Sequence, residues 1–138
     1  MTGELSVKIY YEDTDSLGVV YHANYLKYFE RGRTEFINQL GRGIDVWNRD
    51  GFNFVVFKMA ITFHKPARLN DLCRVETRVL SGTPYRLRLD QRLLRDDLLL
   101  TEAKVDLVCL DGNMELCELP ESIAALAPSE SATAPTRG

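Results

Sequence analysis

The sequence predicts an α+β domain: one long helix lying against a curved antiparallel sheet of five to six strands. Three features carry that expectation. A sustained helical period occurs once, between Asn24 and Leu40, while strand-period alternation recurs on both sides of it. Strands and helices do not alternate, as a parallel sheet with crossover helices would require. The chain of 138 residues is close to the usual size of one domain, so a single core is expected.

In order, residues 5–11 place Leu5, Val7, Ile9 and Tyr11 on one face and polar groups on the other, a half-buried strand. Glu12 to Gly18 are short polar residues ending in glycine, which favour a turn. From Asn24, an N-cap candidate, Tyr25, Tyr28, Phe29, Phe36, Ile37 and Leu40 form one helical stripe that Gly41 ends as C′ residue. Gly32 lies on that stripe, where a missing side chain admits a sheet at close range. Phe52 to Phe63, rich in Phe, Val and Ile, read as a central strand buried on both faces. Three amphipathic strands follow, around Cys73–Val79, Tyr85–Leu93 and Ala103–Cys109, with Ser81–Pro84 as a turn. Their other faces carry arginines that are expected to stay solvated. Asp111-Gly112 signals a hairpin into a short edge strand over Met114–Leu119, and a helical turn is expected after Pro120. The domain is expected to span 1–126, with 127–138 a disordered tail, because that segment holds no aromatic residue and much Pro, Ser and Thr.

Composition narrows the function. At 45% hydrophobic and 27% charged the chain is neither collagen-like nor wholly disordered. A net charge of −3 has the wrong sign for coating nucleic acid or anionic lipid. The charge is uneven, with eight basic and three acidic residues between Lys65 and Arg95 and an acidic excess elsewhere, so a phosphate-bearing ligand remains compatible. Three cysteines without C-x-x-C spacing suit a reducing cytoplasm, and Cys73 and Cys109 read as core. No leader or run of roughly 18 apolar residues is present, so no membrane insertion is expected. Asp13-x-Asp15-x-x-Gly18 starts like a calcium loop but has Asn24 where a bidentate Glu belongs. Gly41-Arg42-Gly43 follows a helix and lacks a third glycine, so it is a stop and not a dinucleotide site. Nucleophile-elbow spacing is absent, and Ser16 with His22 makes a poor hydrolytic dyad. Two histidines and scattered cysteines are too few for a metal site, so neither metal nor cofactor is expected.

The junction Asp15 to Asn24 remains. A carboxylate placed just before a helix N-terminus stands where unpaired N–H groups favour developing negative charge, an arrangement that suits acyl transfer. On spacing alone, a simple turn cap is the commoner role for a residue placed like Asp15.

The run Tyr10-Tyr11-Glu12-Asp13-Thr14-Asp15-Ser16-Leu17-Gly18-Val19-Val20-Tyr21-His22-Ala23-Asn24-Tyr25, followed by Phe29 to Glu35, closely resembles the YbgC-type acyl-CoA thioesterases of the 4-hydroxybenzoyl-CoA thioesterase family. The likeness continues through Phe63–Asp71, Glu102-Ala103 and Leu119-Pro120, covering roughly residues 6–125. It implies the hotdog fold, in agreement with the element order. It also implies Asp15 as catalytic carboxylate and His22 as the second catalytic residue, its backbone N–H binding the thioester oxygen and its side chain orienting substrate or water. Tyr21, Asn24 and Tyr25 are implied as substrate contacts. Family members dimerise with sites between subunits, and YbgC-like members pair further, so a homotetramer built as a dimer of dimers is expected. Val56, Phe57 and Lys58 of a neighbouring subunit then line the acyl and pantetheine channel. The hairpin Leu80 to Tyr85 lacks the basic residues of some relatives, which leaves Arg68, Arg86 or Arg88 for substrate phosphates. The implied activity is hydrolysis of acyl-CoA or acyl carrier protein thioesters. A dehydratase is disfavoured because no His-Phe-Pro occurs. The alternative from another class is a non-catalytic module that docks acyl carrier protein or an envelope complex.

Overall fold

The computed structural model describes residues 2–128. Strand β1 (Thr2–Lys8) leads through a 3₁₀ turn (Tyr11–Asp13) to helix α1 (His22–Asn38) and a short α2 (Ile44–Arg49). Strands β2 (Asn53–Phe63), β3 (Leu72–Gly82), β4 (Arg86–Arg95), β5 (Leu98–Leu110) and β6 (Leu116–Cys117) follow, with α3 (Glu121–Ala124) last. All pairings are antiparallel, in the order β1-β3-β4-β5-β2, and β6 adds to β5.

The pattern that predicted the strands also decides what they bury. Val75 on β3, Leu87, Leu89 and Leu93 on β4, and Val105 and Cys109 on β5 alternate inward and are almost wholly buried. Against them α1 sets Tyr25, Tyr28, Phe29, Phe36 and Ile37. Burying one such side chain contributes about 1.5–3 kcal/mol, so this layer dominates the stability. Gly32 allows the close approach: a Cβ there would stand 2.6 Å from Val75 Cγ1. One polar cluster is let into the layer. Gln91 Nε2 donates to Phe29 O (2.9 Å) and Thr77 Oγ1 (2.9 Å), and its Oε1 accepts from Arg33 (3.0 Å). Satisfied in this way, buried Gln91 costs little.

Several expectations are corrected. β1 ends at Lys8, and Tyr11 sits in the 3₁₀ turn, 80% exposed. The chain leaves the sheet because Tyr10 N donates to Asp13 Oδ2 (2.9 Å) and closes a local turn. Helix α1 starts at His22, two residues before Asn24, because nothing from Val20 to Ala23 breaks a helix. Gly41, at φ +101°, lies two residues past the C-cap Gln39. α2 went unread in the sequence; its Trp47 packs edge-on to Phe52 (5.5 Å), under Arg42 stacked 3.7 Å above the indole.

The largest correction concerns β2, which is an edge strand and not a central one, with Val56, Phe57 and Phe63 exposed. α1 packs mainly on β1, β3 and β4, and meets β2 only at its end, where Phe63 stands against His22 and Tyr25, while Trp47 of α2 covers Phe54 near its start. The sheet's outer face is more than a solvated arginine surface, since it buries Asp90 and Asp106 beneath its cations. Of the tail expected from Ala127, residues 129–138 lie outside the described residues, and Ala127 itself still packs against the core.

Candidate active site

The site is built where the chain leaves β1 and enters α1. Thr14 bridges Val20 and Asp15 N donates to Val19 O (2.9 Å), so Asp13 to Val20 form a tight hairpin-like loop. Gly18 closes it at φ +78°, a left-handed conformation natural to glycine. A second segment clamps the loop from outside: Val20 N donates to Ala67 O (2.9 Å), Leu69 N donates to Gly18 O (3.1 Å), and Val19 bridges Arg68. From the helix, Asn24 Nδ2 donates to Asp13 O (2.8 Å), as does Tyr21 N (3.1 Å). Asn24 is therefore not the N-cap; its amide ties the first turn of α1 to the loop.

These contacts surround a cavity of about 230 Å³ lined by Asp15, Val19, Val20, Tyr21, His22, Tyr25, Phe63, His64, Lys65 and Pro66. Tyr25 forms its floor. The phenol oxygen accepts from Ala67 N (3.1 Å), and burial pushes its pKa up, so it remains a neutral hydroxyl. Phe63 stands edge-on to both His22 (5.2 Å) and Tyr25 (5.3 Å). Just behind, the Tyr28 phenol is likewise pushed up, first by burial and then by the carboxylate of Asp13.

The Asp15 carboxylate caps its own turn and borders the cavity. Its Oδ1 accepts Leu17 N–H (2.8 Å), a turn-capping bond, and the same residue lines the cavity. Among the described residues it makes no ion pair, so Oδ2 remains free for chemistry. α1 begins with Tyr21 as N-cap and no side-chain capping bond. The first-turn N–H groups at His22 and Ala23 thus lack a side-chain acceptor at the cavity's edge, where the helix dipole is positive. The arrangement offers a carboxylate and an anion-stabilising helix end across one small, partly apolar space.

Asp15, Tyr21, His22 and Tyr25 converge on this cavity, with Asn24 and the Arg68 backbone holding its walls. Val56, Phe57 and Lys58 do not join them within one chain: they lie in the other half of β2, at a bulge between Val56 and Lys58. Arg86 and Arg88 are also elsewhere, on the outer face. Arg88 grips Asp106 through two bonds (2.7 and 3.1 Å), and Arg86 lies over the Phe57 ring (5.1 Å). The sequence reading missed Phe63, His64 and Lys65 as lining residues. Their one signal was position, at the end of an apolar strand that had to stop near the loop.

A larger concavity, about 570 Å³, opens over the β1 edge between Gly3, Gln39, Arg78 and Asp90, but its charged groups are all engaged in ion pairs, Asp90 with Arg78 and Arg92, and Glu4 and Glu76 with Arg74. Burial pushes the thiols of Cys73 and Cys109 up to about 11 and about 12, so neither is a nucleophile at neutral pH. Among the described residues no cluster of three His, Cys, Asp or Glu is placed to hold a metal ion, and no helix is long and apolar enough to cross a membrane.

Known proteins share both the sequence pattern and the fold of this chain. The family model of the thioesterase-like superfamily matches residues 10–126. The chain is 40% identical over 121 residues to the acyl-CoA thioesterase YbgC of Haemophilus influenzae, covering 86% of this chain and 89% of that one. It is 40% identical over the same length to the acyl-CoA thioester hydrolase YbgC of an Escherichia coli strain, covering 86% of this chain and 90% of the relative. Among solved structures, a probable thioesterase from Bartonella henselae superposes with a TM-score of 0.83 at 33% identity, over 87% of this chain and all of the other. In sequence and in fold, the chain belongs to the thioesterase-like superfamily, as a YbgC-type thioester hydrolase of the hotdog fold.

Proposed function

We propose that the cavity at the α1 entrance hydrolyses acyl thioesters of coenzyme A or acyl carrier protein to the free acid and thiol. The carrying observation is that Asp15, alone of the cavity's residues, presents a carboxylate oxygen with no partner beside an uncapped helix end. Asp15 either takes the proton of the water that attacks the thioester carbonyl or attacks that carbon itself. As the carbonyl oxygen gains charge, the N–H groups at His22 and Ala23 receive it, and such donors are typically worth 10²–10³ in rate. The His22 ring, held edge-on by Phe63, orients substrate or water. The curated relatives support the coenzyme A ester, and an acyl-acyl carrier protein thioesterase of Arabidopsis thaliana, 28% identical over 122 residues, supports the carrier-protein ester.

The exposed β2 edge supports assembly. A long, apolar strand with an unpaired side calls for another strand. Two copies joined antiparallel along β2 place the Val56–Lys58 half of one beside the Phe63 end of the other, which completes the channel from two chains. Arg86, resting on Phe57, is carried with that half toward a substrate phosphate, whereas Arg88 is occupied by Asp106. Pairs of such dimers then give the tetramer. The three unbridged cysteines, two of them buried, support a cytoplasmic location.

The test is thiol release from short, long and aromatic acyl-CoAs and from acyl carrier protein thioesters, beside sedimentation of the same sample. Turnover of at least one class by an assembly larger than 15.7 kDa is expected. A monomer that binds thioesters without cleaving any points instead to a docking module.

A further inference from the structure

The chain contains only two histidines, and the fold brings both to the same cavity. His22 belongs to the entrance of α1, and the second one has had no task. His64 follows the last residue of β2, and its backbone is pinned: His64 N and Lys65 N both donate to Leu100 O (2.9 and 3.0 Å). Its ring is fixed too, with Nε2 2.8 Å from Glu102 Oε2. Glu102 is in turn steadied by Lys104 Nζ at 3.4 Å, and that amine is anchored to Asp90 Oδ1 at 2.9 Å. Bonding from His64 first, and then from Lys104, holds the Glu102 carboxyl below its usual range, so it stays an anion against the ring. A histidine oriented from behind by a carboxylate has one polar atom left for a ligand, here Nδ1.

Which part of a thioester would use it follows from polarity. The His64 side chain is 38% exposed, so this wall of the cavity is polar and open to water, whereas the wall opposite is aromatic, with Tyr25 only 3% exposed. An acyl chain seeks the apolar wall, whereas the thiol arm is polar and must leave toward solvent. His64 and Asp15 line the same cavity of about 230 Å³. We propose that His64, positioned by Glu102, binds the first amide of the substrate's thiol arm and so selects for thioesters that carry that amide. A secondary amide has both an N–H and a C=O, and so satisfies Nδ1 whether the ring is neutral or protonated. The contact reads what coenzyme A and acyl carrier protein thioesters share, and it is independent of the nucleotide.

This inference rests on the hydrolase reading, and the experiment separates the two. One acyl group is presented as the thioester of N-acetylcysteamine and as that of pentane-1-thiol, which matches it in length but lacks the amide. Wild type should favour the first in kcat/KM by about three- to tenfold, mostly through KM, as one hydrogen bond provides. His64→Ala should bring the ratio close to one, Glu102→Gln should lower it in part, and His64→Gln, which keeps a donor and an acceptor, should retain part of it. If the alanine variant does not fold, the two glutamine variants carry the same test. An unchanged ratio in all folded variants overturns the proposal. Wild type that cleaves neither ester overturns the hydrolase reading instead. Equilibrium binding of the N-acetylcysteamine ester then decides, and equal affinity of wild type and His64→Ala refutes the contact.

Discussion

The carboxylates on the outer face of the sheet and the one at the entrance of α1 are treated in opposite ways. On the outer face Asp90, 1% exposed, accepts from Lys104 (2.9 Å) and Arg78 (3.0 Å), with Arg92 at 3.3 Å. Asp106, 3% exposed, is gripped by Arg88 and approached by Arg86. On the helix side, Asp15 accepts one backbone N–H and, among the described residues, meets no cation. A carboxylate saturated by cations has its lone pairs committed to holding strands together. One left with a free oxygen beside a helix N-terminus has lone pairs available to a substrate. The chain has basic residues in plenty in its middle segment, and the fold directs them to the structural acids.

The comparison can be broken at several points, first where the effect is largest. Asp90→Asn should cost about 2 kcal/mol of unfolding free energy by urea titration. Removing one partner of a buried pair costs more than this, but here the stranded cations are half exposed and rehydrate. Full stability would show that the outer charges are ornamental.

Acid should reveal the same difference. Burial pushes Asp90 up, but bonding from Lys104 and Arg78 outweighs it, and Asp106 is held down first by Arg88, so both titrate below the ordinary carboxylate. Groups depressed in the fold contribute stability that is complete above the unfolded carboxylate pKa, about 3.9, and is lost as pH falls through the folded values. The urea midpoint should therefore decline below about pH 4, and more shallowly in a variant with both residues changed to Asn. Parallel declines would refute the assignment.

A smaller loss, on the order of 1 kcal/mol, is expected for Gly32→Ala. The gain in helix propensity is outweighed by a methyl pressed against buried Val75. The smallest is Arg78→Met, below about 1 kcal/mol, since the guanidinium is half exposed and Lys104 still serves Asp90.

How far these regions were legible in the sequence differs for physical reasons. The α1 stripe and the alternation in β3, β4 and β5 could be read because periodicity states which face is buried. The Asp15 loop could be read because its turn chemistry and its likeness to a family lie in one continuous run. Burial of Asp90 and Asp106 could not, because an outward-facing acid is buried only by cations on neighbouring strands, and pairing register supplies those: Asp90 lies opposite Arg78 and Lys104. β2 misled for a related reason. An apolar composition does not tell a central strand from an edge one, and its place in the chain's own sheet is at the edge. His64 was passed over because its partners, Glu102 and the Asp15 loop, are distant in sequence.

The central claim, that the free carboxylate does the chemistry and the saturated ones hold the fold, is tested most directly by measuring kcat and thermal midpoint together for Asp15→Asn and Asp90→Asn. The effects should cross. Asp15→Asn should keep the wild-type midpoint and lose kcat by about 10²-fold or more, the size expected for removing a general base or nucleophile. Asp90→Asn should lose several degrees and, at temperatures where it is folded, retain most of its kcat. Wild-type turnover in well-folded Asp15→Asn, or an equal loss of kcat in Asp90→Asn, would contradict the account.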